Sequence, residues 1–331
     1  MITKSRAFWI YLVPVVALPI AALVAVFVRE EQHARGALEA HERQLVANAA
    51  TVIRSRLEVP KQDLLFLAQL REVGQLLGGN SAARSGVSSD FEAFAKEHPD
   101  YDHLRIFDAS GREIVLVDRT PTGVHPVPSG GLQRKRHRYY FEAAIRKDRG
   151  QVYVSPLDLN VEHGAVERPF KPTMRFATPL YDSRGVKSGV LVLNLLAAPM
   201  LRELRQLDRS SEGQLWLVNR DGYSLLAPGA QDEFGFMFPG NNAKSLAVRA
   251  PEMWSWLRAH PTGSGTVGNA LVTSLRLCGN GSDCAPDGAP SGFTPQSLPF
   301  AASDQPWTIY TEIRPAAFYA GRELGWHYLP I

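Results

Sequence analysis

Cysteine is scarce in this sequence. Only Cys278 and Cys284 occur among 331 residues, and neither a further cysteine pair nor metal-spaced histidines accompany them, so a zinc site is not expected. The polar segment GNGSD separates the two cysteines. In an oxidising compartment they can close a short disulfide loop, whereas two free thiols are the alternative.

Catalytic motifs and excess charge are also lacking. No GxSxG elbow, HExxH pair or phosphate-binding P-loop occurs. Residues 263–268 fit GxGxxG, but a helix is predicted before them and a strand after them, the reverse of a dinucleotide site. The formal net charge is only +3, so nucleic-acid binding is not predicted. We expect no cofactor, no bound metal and no enzyme activity within the chain.

One long apolar run is present at the N-terminus. Residues 7–28 carry no charged side chain and are long enough to cross a hydrocarbon core of ~30 Å. Lys4 and Arg6 precede the run, which favours a cytoplasmic tip at residues 1–6 with the bulk of the chain outside. A cleaved signal peptide is the alternative, although its apolar region is normally shorter. We predict a single transmembrane helix.

A long polar helix is predicted to follow over residues 29–77, with a kink or a break at Pro60. Leu38, Leu45 and Val52 are seven residues apart, a spacing that permits a helix–helix seam and hence a homodimer. An amphipathic helix lying against its own domain explains the same spacing equally well. Residues 78–89 are rich in glycine and serine and are predicted as a loop.

Three hairpins are predicted from turns that begin with Asp or Asn and end with Gly. These turns are DASG at 108–111, DSRG at 182–185 and NRDG at 219–222. The order of hairpin, helix and further strands occurs twice, which indicates two modules at 91–196 and 213–313. We therefore predict an α/β (α+β) fold with antiparallel sheets. Residues 314–331 are predicted as a helix leading to a second membrane segment.

Several strings resemble one family of bacterial receptors. They are YYF at 139–141, YVSPLDLNVEHG at 153–164 and KPTMRFATPLYD at 171–182. The chain resembles the double Cache, PAS-like extracytoplasmic sensor region found before diguanylate cyclases and in sensor histidine kinases. The resemblance implies two stacked modules on a long helix, with residues 91–196 farther from the membrane. It also implies a small-molecule ligand and a bacterial inner-membrane protein with most of its chain in the periplasm.

The resemblance also suggests ligand-binding residues. Relatives that bind amino acids present an Arg, a Trp and a Tyr near the start of the helix and an Asp at the end of the last strand. The matching positions look like Arg138, Tyr140, Phe141 and Asn194. Phe141 lacks a hydroxyl, and Asn194 cannot supply a negative charge to an ammonium group. A carboxylate or another anion held by Arg138 is therefore expected rather than a free amino acid.

The other candidate ligand residues are Tyr153, Ser155, Asp158 and Arg175. Arg175 lies between apolar neighbours on a predicted strand and can point inward or outward. Tyr140 and Tyr153 can form pocket walls or core, and Arg138 can belong to a solvated basic loop. Asp158 begins a segment that superficially resembles a calcium loop, but its spacing fails, so a turn cap or a ligand-covering loop is expected.

Two other classes of function are weighed against the sensor. An extracytoplasmic enzyme needs a nucleophile, a metal or an acid–base pair converging in one cleft. A protein-interaction module would use surface loops instead of a pocket. For an enzyme, only unpaired candidate residues are visible in the sequence, and the sensor is preferred because of the family resemblance.

Overall fold

The computed structural model describes residues 3–162, 164–209, 213–279, 297–298 and 306–314. Side chains are described for 16–161, 164–209, 213–277 and 306–314. Within these residues the α-helices are α1 (Thr3–Leu67), α2 (Arg71–Leu77), α3 (Ala83–Glu97), α4 (Tyr139–Ile145), α5 (Ala198–Asp208), α6 (Leu246–Arg249) and α7 (Pro251–Ala259). The strands are β1 (Tyr101–Asp108), β2 (Glu113–Thr120), β3 (Gly123–Pro126), β4 (Tyr153–Val154), β5 (Asp158–Leu159), β6 (Val161–Glu162), β7 (Ala165–Val166), β8 (Pro172–Tyr181), β9 (Lys187–Leu196), β10 (Gln214–Val218), β11 (Ser224–Leu226), β12 (Thr262–Val267), β13 (Ala270–Gly279), β14 (Ser297–Leu298) and β15 (Trp307–Ile313).

The long helix α1 continues through Pro60, so the predicted break there is wrong. Proline removes one backbone donor and normally bends or ends a helix. Here Ile53, Leu57 and Leu64 lie on both sides of the proline and are fully buried. Packing of this apolar face against the chain's own core holds the helix together across Pro60. Leu45 is buried in the same core, as expected for a helix that lies on its own domain.

The helix α3 replaces part of a predicted loop. Residues 78–89 were expected to be irregular, yet α3 begins at Ala83. Val87 and Phe91 on this helix are fully buried and belong to the main core. Burial of these side chains outweighs the weak helix propensity of the neighbouring glycine and serine residues.

The first sheet is antiparallel, with strand order β3-β2-β1-β9-β8-β4 and with β5 also paired to β8. The hairpins β1/β2 and β8/β9 enclose two of the predicted turns. In the first turn, Asp108 Oδ1 accepts backbone hydrogen bonds from Ser110 N at 2.8 Å and Arg112 N at 3.1 Å. Gly111 has a φ of 78°, which a residue with a side chain rarely adopts. The prediction of hairpins from these turn sequences is confirmed.

The second sheet has the order β11-β10-β15-β13-β12, and β14 pairs with β13. The predicted third hairpin is β10/β11. Residues 263–267 lie on β12, whose antiparallel partner is β13, so the GxGxxG string is not a strand-to-helix phosphate turn. The side chain of Cys278, all of Cys284 and the predicted helix from residue 315 onward lie outside the described residues. The disulfide and that helix stay predictions.

The two faces of the first sheet bury different groups. On one face, Leu104, Ile106, Phe176 and further apolar side chains join the core formed with α1 and α3. On the opposite face, a smaller cluster forms between α4 and the sheet. It combines three side chains of α4 with four of the strands, and comprises Tyr140, Phe141, Ala144, Phe107, Ala177, Val190 and Val192. Side chains alternate along each strand, so any polar residue in register with the second set lies under α4.

A cluster of ion pairs joins α1 to the segment that leaves the first sheet. Arg56 on α1 contacts Asp100, just before β1, at 3.3 Å and Glu203 on α5 at 2.8 Å. The helix α5 follows β9 directly and leads to the second sheet. Arg56 therefore connects the long helix with the end of the central strand pair at which β1 begins and β9 ends.

No helix in the described part of the chain is both long enough and apolar enough to cross a membrane. The expected span at 7–28 includes residues 7–15, whose side chains lie outside the described set. The α+β fold, the long N-terminal helix and the antiparallel sheets agree with the sequence-based expectation.

We expect Leu57→Ala to lower the free energy of unfolding by about 2–5 kcal/mol, because it leaves a cavity under α1. Leu57 is fully buried, whereas Val59 on the same helix is 49% exposed. Val59→Ala is the matched control and should change stability by less than about 0.5 kcal/mol. Urea denaturation followed by far-UV circular dichroism measures both. Equal effects would show that the buried face of α1 does not stabilise the fold.

Candidate functional site

A row of polar side chains crosses the face of the first sheet that lies under α4. Strand register places Asp118 opposite His103, His103 opposite Asn194, and Asn194 opposite Arg175. Residues directly opposite each other in antiparallel strands project from the same face. Two hairpins that are distant in sequence, β1/β2 and β8/β9, therefore bring one acid, one imidazole, one amide and one guanidinium together.

Arg175 is the centre of a buried hydrogen-bond network. Its Nη1 donates to Asp158 Oδ1 at 2.7 Å and to the Tyr139 hydroxyl at 3.2 Å, and its Nη2 donates to Asn160 Oδ1 at 3.2 Å. The Tyr139 hydroxyl in turn donates to Asp158 Oδ2 at 3.1 Å. The guanidinium is thus inward-facing, and its charge is already neutralised by a neighbouring carboxylate.

Burial changes the pKa values of the ionisable groups in this network. Burial raises the pKa of Asp158 above its ordinary value, and Arg175 and Tyr139 only partly offset that effect. Burial also raises the pKa of the Tyr139 hydroxyl. For Arg175, burial favours the neutral form, but the Asp158 carboxylate outweighs it and raises the pKa. The pair is a dehydrated ion pair that depends on both partners.

A cavity of about 70 Å³ lies beside this network. Among the described residues its wall carries one carboxylate, Asp158, and four cations, which are Arg105, Lys135, Arg138 and Arg175. The remaining polar lining comprises Tyr139, Tyr140, Asn160 and Asn194. The described lining therefore has a surplus of positive charge, which suits an anionic group.

Arg138 differs from the other cations in being solvent-exposed. It occupies the N-cap position of α4 with an extended backbone, and its carbonyl accepts from Phe141 N at 3.0 Å. Its guanidinium makes no hydrogen bond or ion pair with the side chains that the structure describes. Arg138 can therefore turn its charge to an incoming anion without breaking an internal contact.

Five predicted site residues lie in the wall of the cavity and two do not. Arg138, Tyr140, Asp158, Arg175 and Asn194 line it. The Oγ of Ser155, which is fully buried, accepts from Arg175 N at 2.9 Å and donates to Pro156 O at 2.8 Å. Tyr153 is half-buried and packs against the apolar cluster under α4. Both residues support the wall from behind in this structure.

Sequence reasoning missed Arg105, which lines the cavity and is 3% exposed. Its Nη1 lies 3.3 Å from Glu113 Oε1, which is also 3.5 Å from Lys135 Nζ. The strand register shifts between Ile106 and Phe107 and places Glu113 opposite Phe107, on the face under α4. The signal was available, because Arg105, like Arg175, stands between apolar residues on a strand.

The missed residue His103 holds Asn194 in place. His103 Nδ1 lies 3.0 Å from Asp102 Oδ2 and 3.2 Å from Asn194 Nδ2, while its Nε2 lies 3.0 Å from Asp118 Oδ1. Burial alone would raise the pKa of Asp102, but the hydrogen bond to His103 and the charges of Lys171 and Arg105 together lower it. No group of three or more potential metal ligands occurs among the described residues.

Comparison with known sequences identifies the family. The sequence profile of the bacterial histidine kinase sensor domain matches residues 62–277, which is more than half of the chain. The chain therefore belongs to this family of sensor domains. No curated protein sequence shows a significant match to it.

Solved structures show the same fold in related receptors. A domain of a sensory box/GGDEF family protein from Vibrio parahaemolyticus has a TM-score of 0.65 at 18% identity, covering 87% of this chain and 98% of that one. The extracellular domain of the histidine-kinase-type protein vpHK1S-Z8 has a TM-score of 0.67 at 17% identity, covering 89% and 95%. The ligand-binding domain of a Campylobacter jejuni chemoreceptor, solved with L-valine, has a TM-score of 0.53 at 10% identity, covering 86% and 96%.

We expect Arg175→Met to lower the free energy of unfolding by about 3–5 kcal/mol, because it leaves the largely buried Asp158 carboxylate without an opposite charge. The loss should be smaller at pH 4 than at pH 8. Without Arg175, the already raised pKa of Asp158 rises further, so acid neutralises the carboxyl and removes the penalty. Urea denaturation at both pH values measures this. Arg138→Met is the control and should change stability by less than about 0.5 kcal/mol; a pH-independent loss for Arg175→Met would contradict the explanation.

Proposed function

We propose that the chain senses a small organic anion and that the cavity of about 70 Å³ receives its carboxylate. The observation that carries the proposal is the combination of a cationic wall with an exposed, uncommitted Arg138 at its edge. A guanidinium can hold a carboxylate through two parallel hydrogen bonds. Family membership supports a sensing role, and the charges of the wall support the ligand class.

The same wall argues against a free α-amino acid. Its described carboxylate, Asp158, is bonded to Arg175 at 2.7 Å. Asn194, at the position where amino-acid-binding relatives carry an acid, is 3.2 Å from His103. An ammonium group would therefore meet no uncommitted carboxylate among the described residues and would lose its hydration without compensation.

The exposed surface of α1 supports membrane anchoring. Between residues 16 and 28, the large apolar side chains that are exposed are Val16, Leu18, Ile20, Leu23, Val24, Val26, Phe27 and Val28. Exposed apolar side chains all round a helix suit lipid better than water. The proposed arrangement is an inner-membrane anchor at 7–28 and a periplasmic body, in which module 91–196 lies farther from the membrane than module 213–313. Homodimerisation through α1 belongs to the same proposal, but through its surface outside the face that buries Leu45 in the chain's own core.

A structural change caused by ligand binding can be passed to α1 through a short segment of chain. Asn194 in the cavity wall is followed by α5 from Ala198. Glu203 on α5 is paired with Arg56 on α1. A ligand that shifts the end of β9 would therefore move α5 relative to the long helix. Such a small displacement between packed helices is a common output of sensor domains.

Arg138→Gln should weaken binding of a small carboxylate by about 10-fold to 100-fold, the loss expected for one charged hydrogen-bonding partner. Isothermal titration calorimetry of the purified chain with propionate measures the change. Arg136→Gln is the matched control, because Arg136 belongs to the same basic segment but does not line the described cavity. It should leave affinity unchanged.

Two results would contradict the proposed site. Equal loss of affinity in both variants would mean that the basic segment acts only through its general charge. Unchanged affinity in Arg138→Gln would place the carboxylate elsewhere. If no small anion binds the parent chain, a protein-interaction module that uses the surface loops becomes the better explanation.

We expect the chain to remain in the membrane fraction after a carbonate wash at high pH. The double substitution Leu18→Arg and Leu23→Arg should release it, because each arginine near the centre of a membrane helix costs about 2.5–3.5 kcal/mol. Leu38→Arg lies on α1 beyond the apolar run and is the control that should stay bound. Release of the parent chain by carbonate would contradict the anchor.

A further inference from the structure

A second cavity of about 390 Å³ adjoins the first. The two cavities share Arg105, Lys135 and Asn160 as a common wall. The smaller cavity has room for about five waters, at ~10–15 Å³ for each, which is enough for a carboxylate and a few further atoms but not for a larger ligand. The larger cavity has the size of an ordinary small-molecule site. A ligand whose carboxylate occupies the smaller cavity therefore has its body in the larger one.

Arg105, on the wall shared by the two cavities, has an unpaired donor that is a separate indication of a ligand. The residue is 3% exposed, and its Nε is buried without a hydrogen-bond partner. Its Nη1 is committed to Glu113 at 3.3 Å. Buried donors are rarely left unpaired in native proteins, so an acceptor is expected where the two cavities meet.

The charged side chains of the larger cavity already have partners, either an opposite charge or a backbone carbonyl. Lys171 Nζ lies 2.8 Å from Glu167 Oε1, and His103 Nε2 lies 3.0 Å from Asp118 Oδ1. Arg119 donates to the backbone carbonyls of Tyr101 at 2.9 Å and His98 at 3.0 Å. Apart from the shared wall, the described lining therefore has no surplus positive charge for a second anionic group.

The larger cavity nevertheless offers both donors and acceptors. The carboxylates of Asp118 and Glu167 can accept hydrogen bonds, and Lys171, Asn160 and Gln133 can donate them. The hydroxyl groups of a ligand both donate and accept hydrogen bonds, and they carry no charge that the cavity must neutralise. A lining of this kind matches a hydroxyl-rich molecule better than a hydrocarbon tail or a second carboxylate.

We propose that the ligand is a hydroxylated organic acid of the sugar-acid class. Its carboxylate lies in the smaller cavity near Arg105 and Arg138, and its hydroxyl-bearing body lies in the larger cavity against Asp118, Glu167 and Lys171. The proposal rests on the proposed function, because both put the carboxylate in the same cavity. It adds the chemical class of the rest of the ligand.

Calorimetric titration of the full chain with D-glucuronate, propionate and the dicarboxylate adipate tests the proposal. D-Glucuronate should bind at least ten times more tightly than either of the other acids. Glu167→Ala should weaken D-glucuronate binding about fivefold or more and propionate binding by clearly less, because only the hydroxylated body reaches Glu167, whereas propionate feels the change only through Asn160 of the shared wall, which donates to Glu167 at 2.9 Å. Glu92→Ala is the matched control, since Glu92 also pairs with a lysine four residues away, at 2.7 Å, but lies on α3 outside both cavities.

The outcomes separate this inference from the proposed function. Equal binding of D-glucuronate and propionate would leave the carboxylate site standing and overturn the sugar-acid class. Tighter binding of adipate would also overturn it, in favour of a dianion. Failure of all three acids to bind would overturn the carboxylate site and this inference together. A loss of D-glucuronate affinity in Glu92→Ala as large as in Glu167→Ala would overturn the assignment of the larger cavity.

Discussion

The site depends on the buried ion pair between Arg175 and Asp158. The pair joins the middle of a long central strand to the short strand β5, and it is bonded further to Tyr139 at the start of α4. Three chain segments are thus fixed around one cavity by a single guanidinium. Such a pair contributes little net stability, but removal of either partner is costly, so it fixes geometry more than it strengthens the fold. Because this pair is neutral, the proposed anion would be held by Arg138 and by Arg105, which shares the carboxylate of Glu113 with Lys135.

The sequence correctly predicted the structural elements that are determined by a few neighbouring residues. Turns that begin with Asp or Asn and end with Gly gave the hairpins, because the acceptor side chain and the positive φ belong to the turn itself. The break at Pro60 and the loop over 78–89 were wrong for the opposite reason. Buried side chains such as Ile53, Leu57 and Phe91 compensate for poor local propensity, and which side chains are buried is a property of the tertiary fold.

The residues of the candidate site also fall into two groups, those that the sequence could predict and those that depend on the tertiary fold. An arginine between apolar strand residues predicted that Arg175 could face inward, and the same signal would have found Arg105. The position of Glu113 could not be predicted, because a register shift between Ile106 and Phe107 moves it to the other face of the sheet. The sequence does not distinguish the role of Tyr139 from that of Tyr140, and only Tyr140 was predicted to line the site. In the structure the first bonds through its hydroxyl, while the second packs its ring against Phe107 with centroids 6.4 Å apart.

Position in the fold explains how a cavity of modest size can influence a helix that extends well beyond the sheet. Asn194 is held by His103, and the chain reaches α5 only four residues later. Leu195, in the segment between them, and Met200, on α5, are buried in the same core as the apolar face of α1. Arg56 then links Glu203 on α5 to Asp100 before β1. Because these groups are close-packed, we expect a displacement of β9 by a ligand to move α1 as a shift of packed elements instead of being absorbed by a flexible loop.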